Sequence, residues 1–242
     1  MLNNATIAVV IPAFNEELNI ARVLRTVPSW VDHIVVVNDA STDATSQEVA
    51  KVVDSRVVAI SHPSNRGVGA AIATGYRHAT PLLTGPRDAM VVMAGDGQMS
   101  PDDLERVVLP IISGDADYVK GNRFISEGID QMPKVRRVGG AVFSWLTSIA
   151  IGQSFADCQC GYTALRPGVL NENDLSALWP SYGYPNDLLG LLTAKSMRIA
   201  QVPVKAIYSG ERSDLRMTHL PSILYIVVRA GVRVRRARRL TA

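Results

Sequence analysis

The first 112 residues alternate short, β-branched apolar runs with amphipathic helical patterns, and this alternation occurs four times. The predicted strands are residues 7–11, 34–37, 57–60 and 89–93, and the predicted helices are residues 16–27, 44–53, 68–78 and 101–112. Strands that are apolar almost throughout are buried on both faces, which is typical of a parallel sheet covered by helices. The pattern therefore predicts an α/β protein with a Rossmann-like, mostly parallel sheet.

The second half of the chain is less regular. Helices are predicted over residues 135–151 and 187–195, and strands over residues 161–165 and 199–204. No repeat or linker divides residues 1–218, so we expect one domain there, followed by a C-terminal segment over residues 219–242. Of the 242 residues 47% are apolar, which is enough for a packed core and excludes a disordered chain.

The net charge of +3 is distributed unevenly along the chain. Its basic end contains six arginines and no acid within the last fourteen residues: Arg229, Arg233, Arg235, Arg236, Arg238 and Arg239. These arginines account for +6, which leaves −3 on residues 1–228 and argues against a basic body that binds nucleic acid. Residues 221–240 predict an amphipathic basic helix, which either contacts an anionic membrane through these arginines or packs on the core by its apolar face. We expect the body to fold without it.

The cellular location is predicted from three absences in the sequence. Cys158 and Cys160 do not suffice for a disulfide framework or for a paired Cys-x-x-Cys zinc site, which favours a reducing compartment. The first residues do not resemble a targeting peptide, and no apolar run is long enough to cross a bilayer. We expect a cytoplasmic protein, peripheral at the inner face of the cytoplasmic membrane.

Polar and acidic residues follow three of the predicted strands, where the carboxyl ends of parallel strands form one edge of the sheet. They are Pro12, Ala13, Phe14, Asn15 and Glu16 after the first strand, Asn38 to Asp43 after the second, and Gly95, Asp96, Gly97 and Gln98 after the fourth. Asp39 is placed to accept a hydrogen bond from a base or ribose, whereas Thr42 or Asp43 is expected to cap the next helix. Asp96 suits a Mg²⁺ ligand or a simple turn.

A glycine-rich segment, Asn65-Arg66-Gly67-Val68-Gly69, lies between the third strand and the third helix. It is not a dinucleotide-binding fingerprint, because Ile72 stands where the third glycine would be and the turn after the first strand has no glycine. We expect these glycines, with Gly75, to allow close packing of the helix on the sheet.

Six motifs in order carry a family resemblance: residues 11–16, 38–43 and 65–69, Gly95-Asp96-Gly97-Gln98, Gly121-Asn122-Arg123, and Asp157-Cys158-Gln159-Cys160-Gly161-Tyr162. Over residues 6–218 the chain resembles family 2 glycosyltransferases, specifically the polyprenyl-phosphate, dolichol-phosphate mannosyltransferase-like branch. The resemblance implies a GT-A fold and a nucleotide-sugar site formed by Pro12, Ala13, Asn15, Glu16, Asp39, Asp96 and Gln98. It also implies that Asp96 and Gln98 hold Mg²⁺ or Mn²⁺ with the donor diphosphate.

The resemblance further implies an acceptor-phosphate site. Its residues would be Arg123, Arg136 or Arg137, and Ser213, with Tyr208 and Glu211 in the same loop. Asp157 would orient the sugar or act as base, and the alternative is a structural carboxylate paired with Arg136 or Arg137. One departure is Ala94, which stands where many members have the first carboxylate of their metal motif. The two cysteines are interpreted as small apolar residues of the core.

The expected activity is inverting transfer of a hexose from a UDP- or GDP-sugar to a polyprenyl phosphate, undecaprenyl or dolichyl. A lipid phosphate with a second pKa of about 6 is already largely dianionic at neutral pH, so positioning by arginine matters more than a strong base. Two alternatives stay open at this point: transfer to a soluble saccharide acceptor, and a non-catalytic sugar-nucleotide-binding partner. Homo-oligomerisation is left open as well.

Overall fold

The computed structural model describes residues 1–126, 129, 132–205, 207 and 220–241. Seven strands are found within these residues: β1 (Ile7–Ala13), β2 (His33–Asn38), β3 (Val57–Ser61), β4 (Ala89–Val92), β5 (Tyr118–Asn122), β6 (Thr163–Leu165) and β7 (Ile199–Pro203). The α-helices of the same residues are α1 (Ile20–Thr26), α2 (Thr45–Ala50), α3 (Val68–Ala79), α4 (Leu104–Ile112), α5 (Lys134–Ile151), α6 (Glu172–Ala177), α7 (Tyr184–Ala194) and α8 (Leu220–Thr241).

The strands form one mixed sheet in the order β3-β2-β1-β4-β6-β5-β7. All neighbouring strands are parallel except β6, which is antiparallel to both β4 and β5. The predicted mostly parallel sheet is confirmed. Since the chain adds β2 and β3 on one side of β1 and β4 on the other, the strand order reverses between β1 and β4, where ligands of such sheets bind.

Strand β1 lies between two apolar layers, and all seven of its residues are buried. Ile7, Val9 and Ile11 face the layer that contains α1 and α4, and Ala8 and Val10 face the layer that contains α3 and α7. Helix α3 approaches closely, since a Cβ on Gly75 would lie 2.2 Å from Cγ1 of Val10. The predicted packing of Gly75 against the sheet is therefore confirmed.

The boundaries and two whole elements differ from the sequence prediction. Helix α1 begins at Ile20 rather than at residue 16, because the intervening residues form a turn. The predicted helix 101–112 begins as a 3₁₀ turn, Pro101–Asp103, in which the Ser100 hydroxyl accepts a hydrogen bond from the backbone N–H of Asp102, as expected of an N-cap. Strand β5 and helix α6 were not predicted, because buried Lys120 interrupts the apolar pattern of β5 and α6 is only six residues long.

Helix α8 is packed on the body of the domain along α5 and α7. Its apolar face, which includes Ile223, Ile226 and Val234, is buried, and Ala230 lies so close to α7 that a Cβ on Gly190 would be 2.4 Å from the Ala230 Cβ. The packed alternative for this helix is thus what the structure shows. None of the helices in the described part of the chain is long and apolar enough to cross a membrane.

Two arginines of α8 bind the body rather than facing outward. Nη1 of Arg233 lies 2.7 Å and Nε of Arg229 lies 3.2 Å from Oδ1 of Asp187, a carboxylate with no exposed surface. Both guanidinium groups also donate to the carbonyl of Ala177. The basic segment thus makes buried contacts with the body, and folding of the body without it stays a prediction.

We predict that truncation after Val228 lowers the free energy of unfolding by about 3 kcal/mol or more, because Asp187 loses both arginines and the buried contacts of Ala230 and Val234 are removed. Thermal unfolding followed by circular dichroism measures this. Truncation after Arg239 is the control and should leave the melting temperature unchanged, since the Leu240 that it removes is exposed. Equal melting temperatures for both truncations would contradict the prediction.

Candidate active site

Two adjoining cavities open at the strand reversal between β1 and β4. The larger cavity has a volume of about 560 Å³ and the smaller cavity about 200 Å³. Pro12, Val68, Ala94, Asp96 and Tyr182 line both of them, so the two cavities meet at Asp96. This position agrees with the sheet edge that the sequence predicts.

The larger cavity is formed by the loops that follow β1, β2, β3 and β4. Five of the seven residues predicted for nucleotide-sugar binding line it: Pro12, Ala13, Glu16, Asp39 and Asp96. The backbone holds these loops together, because the Ala13 carbonyl accepts from Asp39 N–H at 2.9 Å and the Pro12 carbonyl accepts from Gly95 N–H at 3.2 Å. The structure thus brings these five residues to one place.

Asn15 and Gln98, the other two predicted residues, are placed differently. Asn15 has a φ of +56° and ties the first loop to the second: its side-chain oxygen accepts from Thr42 N–H at 2.9 Å, and its own N–H donates to the Ser41 hydroxyl at 3.0 Å. It lines neither cavity. Gln98 lines the smaller cavity, and its backbone N–H donates to Oδ1 of Asp96 at 2.9 Å.

The Asp39 carboxylate is buried and binds three groups of the protein. Its Oδ1 accepts from Arg66 N–H at 2.9 Å and lies 2.6 Å from Nδ1 of His62, while its Oδ2 accepts from Gly67 N–H at 2.7 Å. The other ring nitrogen of His62 is 2.9 Å from the Thr74 hydroxyl. Asp39 therefore organises the glycine-rich segment at the wall of the larger cavity, and contact with a nucleotide stays a prediction.

The glycines of residues 65–69 approach another backbone segment rather than the sheet. Gly67 has a φ of +89°, and a Cβ there would lie 2.5 Å from the Pro180 carbonyl oxygen. A Cβ on Gly69 would lie 2.1 Å from the Trp179 carbonyl oxygen. The prediction of packing on the sheet was wrong for these two glycines, because sequence alone does not reveal which distant segment comes close.

The smaller cavity is lined by three basic residues: Arg123, Arg136 and Lys205. Two of them were predicted to bind an acceptor phosphate. Arg137, the alternative to Arg136, is exposed and lines neither cavity. Ser213, Tyr208 and Glu211 lie outside the described residues. Lys205 and Tyr182 were not predicted, since neither belongs to a motif that marks a phosphate or nucleotide site.

Asp157 is completely buried and binds Arg123 in a two-pronged ion pair. Nε of Arg123 lies 2.7 Å from Oδ2 and Nη2 lies 2.9 Å from Oδ1, and the Arg123 N–H donates to the same carboxylate at 3.1 Å. Burial raises the pKa of the Asp157 carboxyl, but the hydrogen bonds and charge of Arg123, with the charge of Lys120, outweigh it, so the pKa lies below its ordinary value. The partner suggested from sequence was Arg136 or Arg137, and the structure shows Arg123 instead.

A buried lysine, Lys120, lies near Asp157. Lys120 is completely buried on β5, and its ammonium group donates to the Cys160 carbonyl. Burial lowers the Lys120 pKa, an effect opposed by the neighbouring cysteines and Asp157. Burial also raises the pKa of the Cys158 thiol to about 11 and that of Cys160 above its usual value, so both are poor nucleophiles at neutral pH. This agrees with their interpretation as core residues.

The residues at the junction of the cavities fit a divalent ion that is bound together with phosphate. In the part of the chain that the structure describes, no group of three or more His, Cys, Asp or Glu could hold a metal by itself. Asp96 supplies one carboxylate where both cavities meet, and Ala94 beside it supplies none. Mg²⁺ commonly takes one or two carboxylates and completes its shell with water and substrate phosphate oxygens. Such an ion fits Asp96 and the Gln98 amide.

The comparisons with known proteins agree with this fold and site. A doubly wound sheet with two joined cavities at its strand reversal is a ligand-binding α/β fold, in which substrates bind beyond the carboxyl ends of the strands. Residues 8–172 match the sequence model of the family described as "Glycosyl transferase family 2", and the chain belongs to that family. It is thus a glycosyltransferase.

Two relatives are named for lipid-phosphate acceptors. The UDP-N-acetylglucosamine–dolichyl-phosphate N-acetylglucosaminyltransferase of Methanococcus voltae is 30% identical over 230 residues, which cover 88% of this chain and 90% of that protein. The polyprenol monophosphomannose synthase of Mycolicibacterium smegmatis is 30% identical over 205 residues, which cover 81% and 75%. The chain is similar to the polyprenyl-phosphate branch of the family, as the sequence motifs predicted.

A solved structure shows the same fold at low identity. Glucosyl-3-phosphoglycerate synthase from Mycobacterium tuberculosis, in complex with Mn²⁺ and UDP-glucose, has a TM-score of 0.69 at 19% identity. The match covers 95% of this chain and 80% of that one. It supports the GT-A fold.

We predict that Asp157→Asn destabilises the protein by about 3 kcal/mol at neutral pH, because Arg123, whose side chain is only 14% exposed, loses its counter-charge. The depressed Asp157 pKa means that the ion pair stabilises the fold above the unfolded carboxyl pKa of about 3.9, and that this stability is lost as pH falls through the lower folded pKa. The difference between wild type and variant should therefore shrink below about pH 4. Urea unfolding at several pH values measures it.

The control is Asp102→Asn, which changes an exposed carboxylate. Its unfolding free energy should parallel that of the wild type at every pH. If the difference in unfolding free energy between wild type and Asp157→Asn stays constant down to strongly acidic pH, the ion pair between Asp157 and Arg123 does not stabilise the fold.

Proposed function

We propose that this protein transfers a hexose from a nucleoside-diphosphate sugar to the phosphate of a polyprenyl phosphate, with inversion at the anomeric carbon. The observation that carries the proposal is the pair of joined cavities, one bounded by the loops that gather at β1 and the other lined by Arg123, Arg136 and Lys205. The names of the relatives support the lipid acceptor. UDP and GDP both remain candidates for the donor.

The donor nucleotide occupies the larger cavity in this proposal. Its volume of about 560 Å³ lies within the range of small-molecule sites. Pro12, Ala13 and Glu16 line it, as does the glycine-rich segment that Asp39 holds. The diphosphate then points toward Asp96, where the larger cavity joins the smaller cavity. Asn15 acts indirectly, because it holds the first loop against the second.

A divalent ion, Mg²⁺ or Mn²⁺, would be held by Asp96 and Gln98 and would neutralise charge on the leaving diphosphate. The Mn²⁺ complexes of the structural neighbour support this choice of cofactor. The backbone N–H of Gln98 fixes the Asp96 carboxylate at the junction, so that its charge is oriented before substrates bind.

The acceptor phosphate occupies the smaller cavity beside Arg123 and Arg136. One of its oxygens attacks the anomeric carbon, the new carbon–oxygen bond forms as the bond to the donor's β-phosphate breaks, and the nucleoside diphosphate leaves with the electron pair. The attacking oxygen is already ionised at neutral pH, so no proton has to be removed. The guanidinium groups hold the phosphate in line for attack from the face opposite the leaving group.

Asp157 is assigned a positioning role in this proposal rather than that of a base. Its carboxylate has no exposed surface, and both of its oxygens are bound to Arg123. A lowered pKa also makes it a weak base. Its function is to fix the Arg123 guanidinium at the cavity wall, so that little rotamer entropy is lost when phosphate binds.

A second candidate is transfer to a soluble acceptor that carries a phosphate group. The arginines recognise phosphate and not the chain attached to it, and a structural neighbour is described in complex with phosphoglyceric acid. The two candidates differ only in what is attached to the phosphate.

The assay incubates purified protein with UDP-N-acetylglucosamine, UDP-glucose or GDP-mannose, with Mn²⁺, and with either polyprenyl phosphate in detergent or 3-phosphoglycerate. We expect a glycolipid of inverted anomeric configuration, identified by mass spectrometry and NMR. A product from 3-phosphoglycerate alone would favour the second candidate. Nucleotide binding without any product would favour a non-catalytic binding protein.

Arg136 and Arg137 provide a matched pair of variants for the acceptor site. Arg136→Gln should raise KM for the lipid phosphate by about tenfold, since it removes one charged hydrogen-bond donor from the smaller cavity. Arg137→Gln removes the same charge from an exposed position on the next residue and should leave KM near the wild-type value. Equal effects of both substitutions would contradict the assignment of the smaller cavity to the acceptor.

We predict that Mn²⁺ binds weakly to the protein alone and tightly in the presence of UDP or GDP, because Asp96 supplies only one carboxylate. Asp96→Ala should remove this coupling and lower kcat by about a hundredfold. Electron paramagnetic resonance of Mn²⁺ with and without nucleotide measures the coupling, and Asp102→Asn is the control. Tight Mn²⁺ binding without nucleotide would show that other ligands hold the ion.

A further inference from the structure

The amide of Gln159 ends a chain of hydrogen bonds that begins in helix α5. Nε2 of Gln159 donates to Oδ1 of Asn186 at 2.9 Å, and Nδ2 of Asn186 donates to the Thr147 hydroxyl at 2.6 Å. The Thr147 hydroxyl donates to the carbonyl of Phe143, one turn earlier in α5, at 2.8 Å. Asn186 and Thr147 have no exposed surface. Gln159 is the member of this chain that lines the smaller cavity.

The chain fixes which end of each amide faces its neighbour. The single hydrogen of the Thr147 hydroxyl goes to Phe143, so its oxygen accepts and Asn186 presents its NH₂ group. The Asn186 oxygen is then left to face Gln159, which presents its own NH₂ group. Oε1 of Gln159 is therefore the acceptor at the cavity end of the chain, and it accepts from no group among the described residues.

Burial of the chain holds the Gln159 amide in one orientation. Turning the amide over would bring its oxygen against the Asn186 oxygen inside the protein, where a lost hydrogen bond is costly. The side chain is thus ordered before a ligand binds, so that little side-chain entropy is lost on binding. An oxygen presented in this way selects a ligand group that has a hydrogen to donate.

The charged groups of the smaller cavity leave a distinct role for Gln159. Arg123, Arg136 and Lys205 are cations that suit phosphate, and Asp96 is the carboxylate that fits the divalent ion. A phosphate dianion has no hydrogen to donate, so its oxygens repel an amide oxygen. A sugar hydroxyl is neutral and does donate, which makes it the better match for Oε1 of Gln159.

The reaction brings a sugar to this cavity, and this step rests on the proposed function. The anomeric carbon has to lie between the donor diphosphate at Asp96 and the acceptor phosphate beside Arg123 and Arg136. The residues assigned to both phosphates line the smaller cavity together with Gln159, and its volume is only about 200 Å³. The hexose attached at that carbon therefore lies within reach of the Gln159 amide.

We propose that Gln159 is a specificity-determining residue for the donor sugar, and that its Oε1 accepts a hydrogen bond from one hydroxyl group of the transferred hexose. Asn186 and Thr147 are positioning residues, which act through Gln159 and do not touch the sugar. Because the contact is made to the sugar and not to the nucleotide or the lipid, it discriminates among hexoses that carry the same nucleotide.

The test measures donor binding to the full chain with Mn²⁺ by isothermal titration calorimetry. The probes are UDP-glucose and GDP-mannose, and the one that binds more tightly is compared with analogues in which hydrogen or fluorine replaces a single hydroxyl group. At one ring position the wild type should bind both analogues about tenfold more weakly than the parent. The two analogues should lose the same affinity, because fluorine has no hydrogen to donate.

Gln159→Met is the informative variant, since it keeps the length of the side chain and removes the amide. It should bind the bare nucleotide like the wild type, bind the parent sugar nucleotide about tenfold more weakly, and no longer distinguish the parent from these two analogues. Gln153→Met is the matched control and should behave like the wild type, because Gln153 is a partly buried amide that lines neither cavity. Circular dichroism melts check that both variants fold.

The proposal is wrong if the wild type binds every analogue as tightly as the parent, and this result does not depend on whether Gln159→Met folds. It is also wrong if a deoxyfluoro analogue binds like the parent where the deoxy analogue does not, because the hydroxyl then accepts instead of donating. Equal weakening of the bare nucleotide and the sugar nucleotide in Gln159→Met would show a purely structural role.

Turnover separates this proposal from the proposed function. With polyprenyl phosphate as acceptor, Gln159→Met should lower kcat/KM for the donor by about tenfold and leave KM for the lipid phosphate unchanged. If the wild type transfers no sugar but discriminates against the analogues in the way that Gln159→Met does not, the proposed function fails and the sugar contact stands. If a glycolipid forms equally well from the parent and from every analogue, the proposed function stands and the sugar contact is wrong. If neither sugar nucleotide binds, both fail.

Discussion

The site depends on the hydrogen bonds that the carbonyl groups at the end of β1 accept. Ala13 accepts from Asp39 N–H, and Pro12 accepts from Gly95 N–H, so β1 binds the loops that follow both of its neighbours. Because β1 is buried on both faces, this meeting point cannot shift without disturbing two apolar layers. The larger cavity and its junction with the smaller cavity inherit that rigidity, which is what a site built on loops needs in order to orient a donor.

Buried carboxylates hold the walls of this site. Asp39 binds the backbone of the glycine-rich segment, Asp157 binds Arg123, and Asp187 binds Arg229 and Arg233 of the last helix. Each satisfies its oxygens with several donors, as a buried charge requires. Acidic residues near the cavities thus fall into two groups. Asp96 lies at the junction of the cavities, whereas Asp157 and Asp187 support the structure around it.

The last helix links the domain's stability to its outer surface. Its apolar face and two arginines pack on α7, and its exposed side continues the surface of α5. One face of this helix packs on the body, and the opposite face exposes apolar residues to solvent. The positive charge of the chain is therefore divided between internal ion pairs and an outward surface.

The sequence by itself determined the first four strands, the mostly parallel sheet and the loops that form the larger cavity, because β-branched runs and the residues after them are local signals. It did not predict β5, since Lys120 is a buried charge that no local pattern explains. Only the tertiary structure decided that Asp157 pairs with Arg123, that Gly67 faces Pro180, and that α5 exposes apolar residues to solvent. Contacts between segments far apart in the chain depend on how the helices pack. The periodicity of a segment shows which of its faces is apolar, but not which distant segment packs against that face.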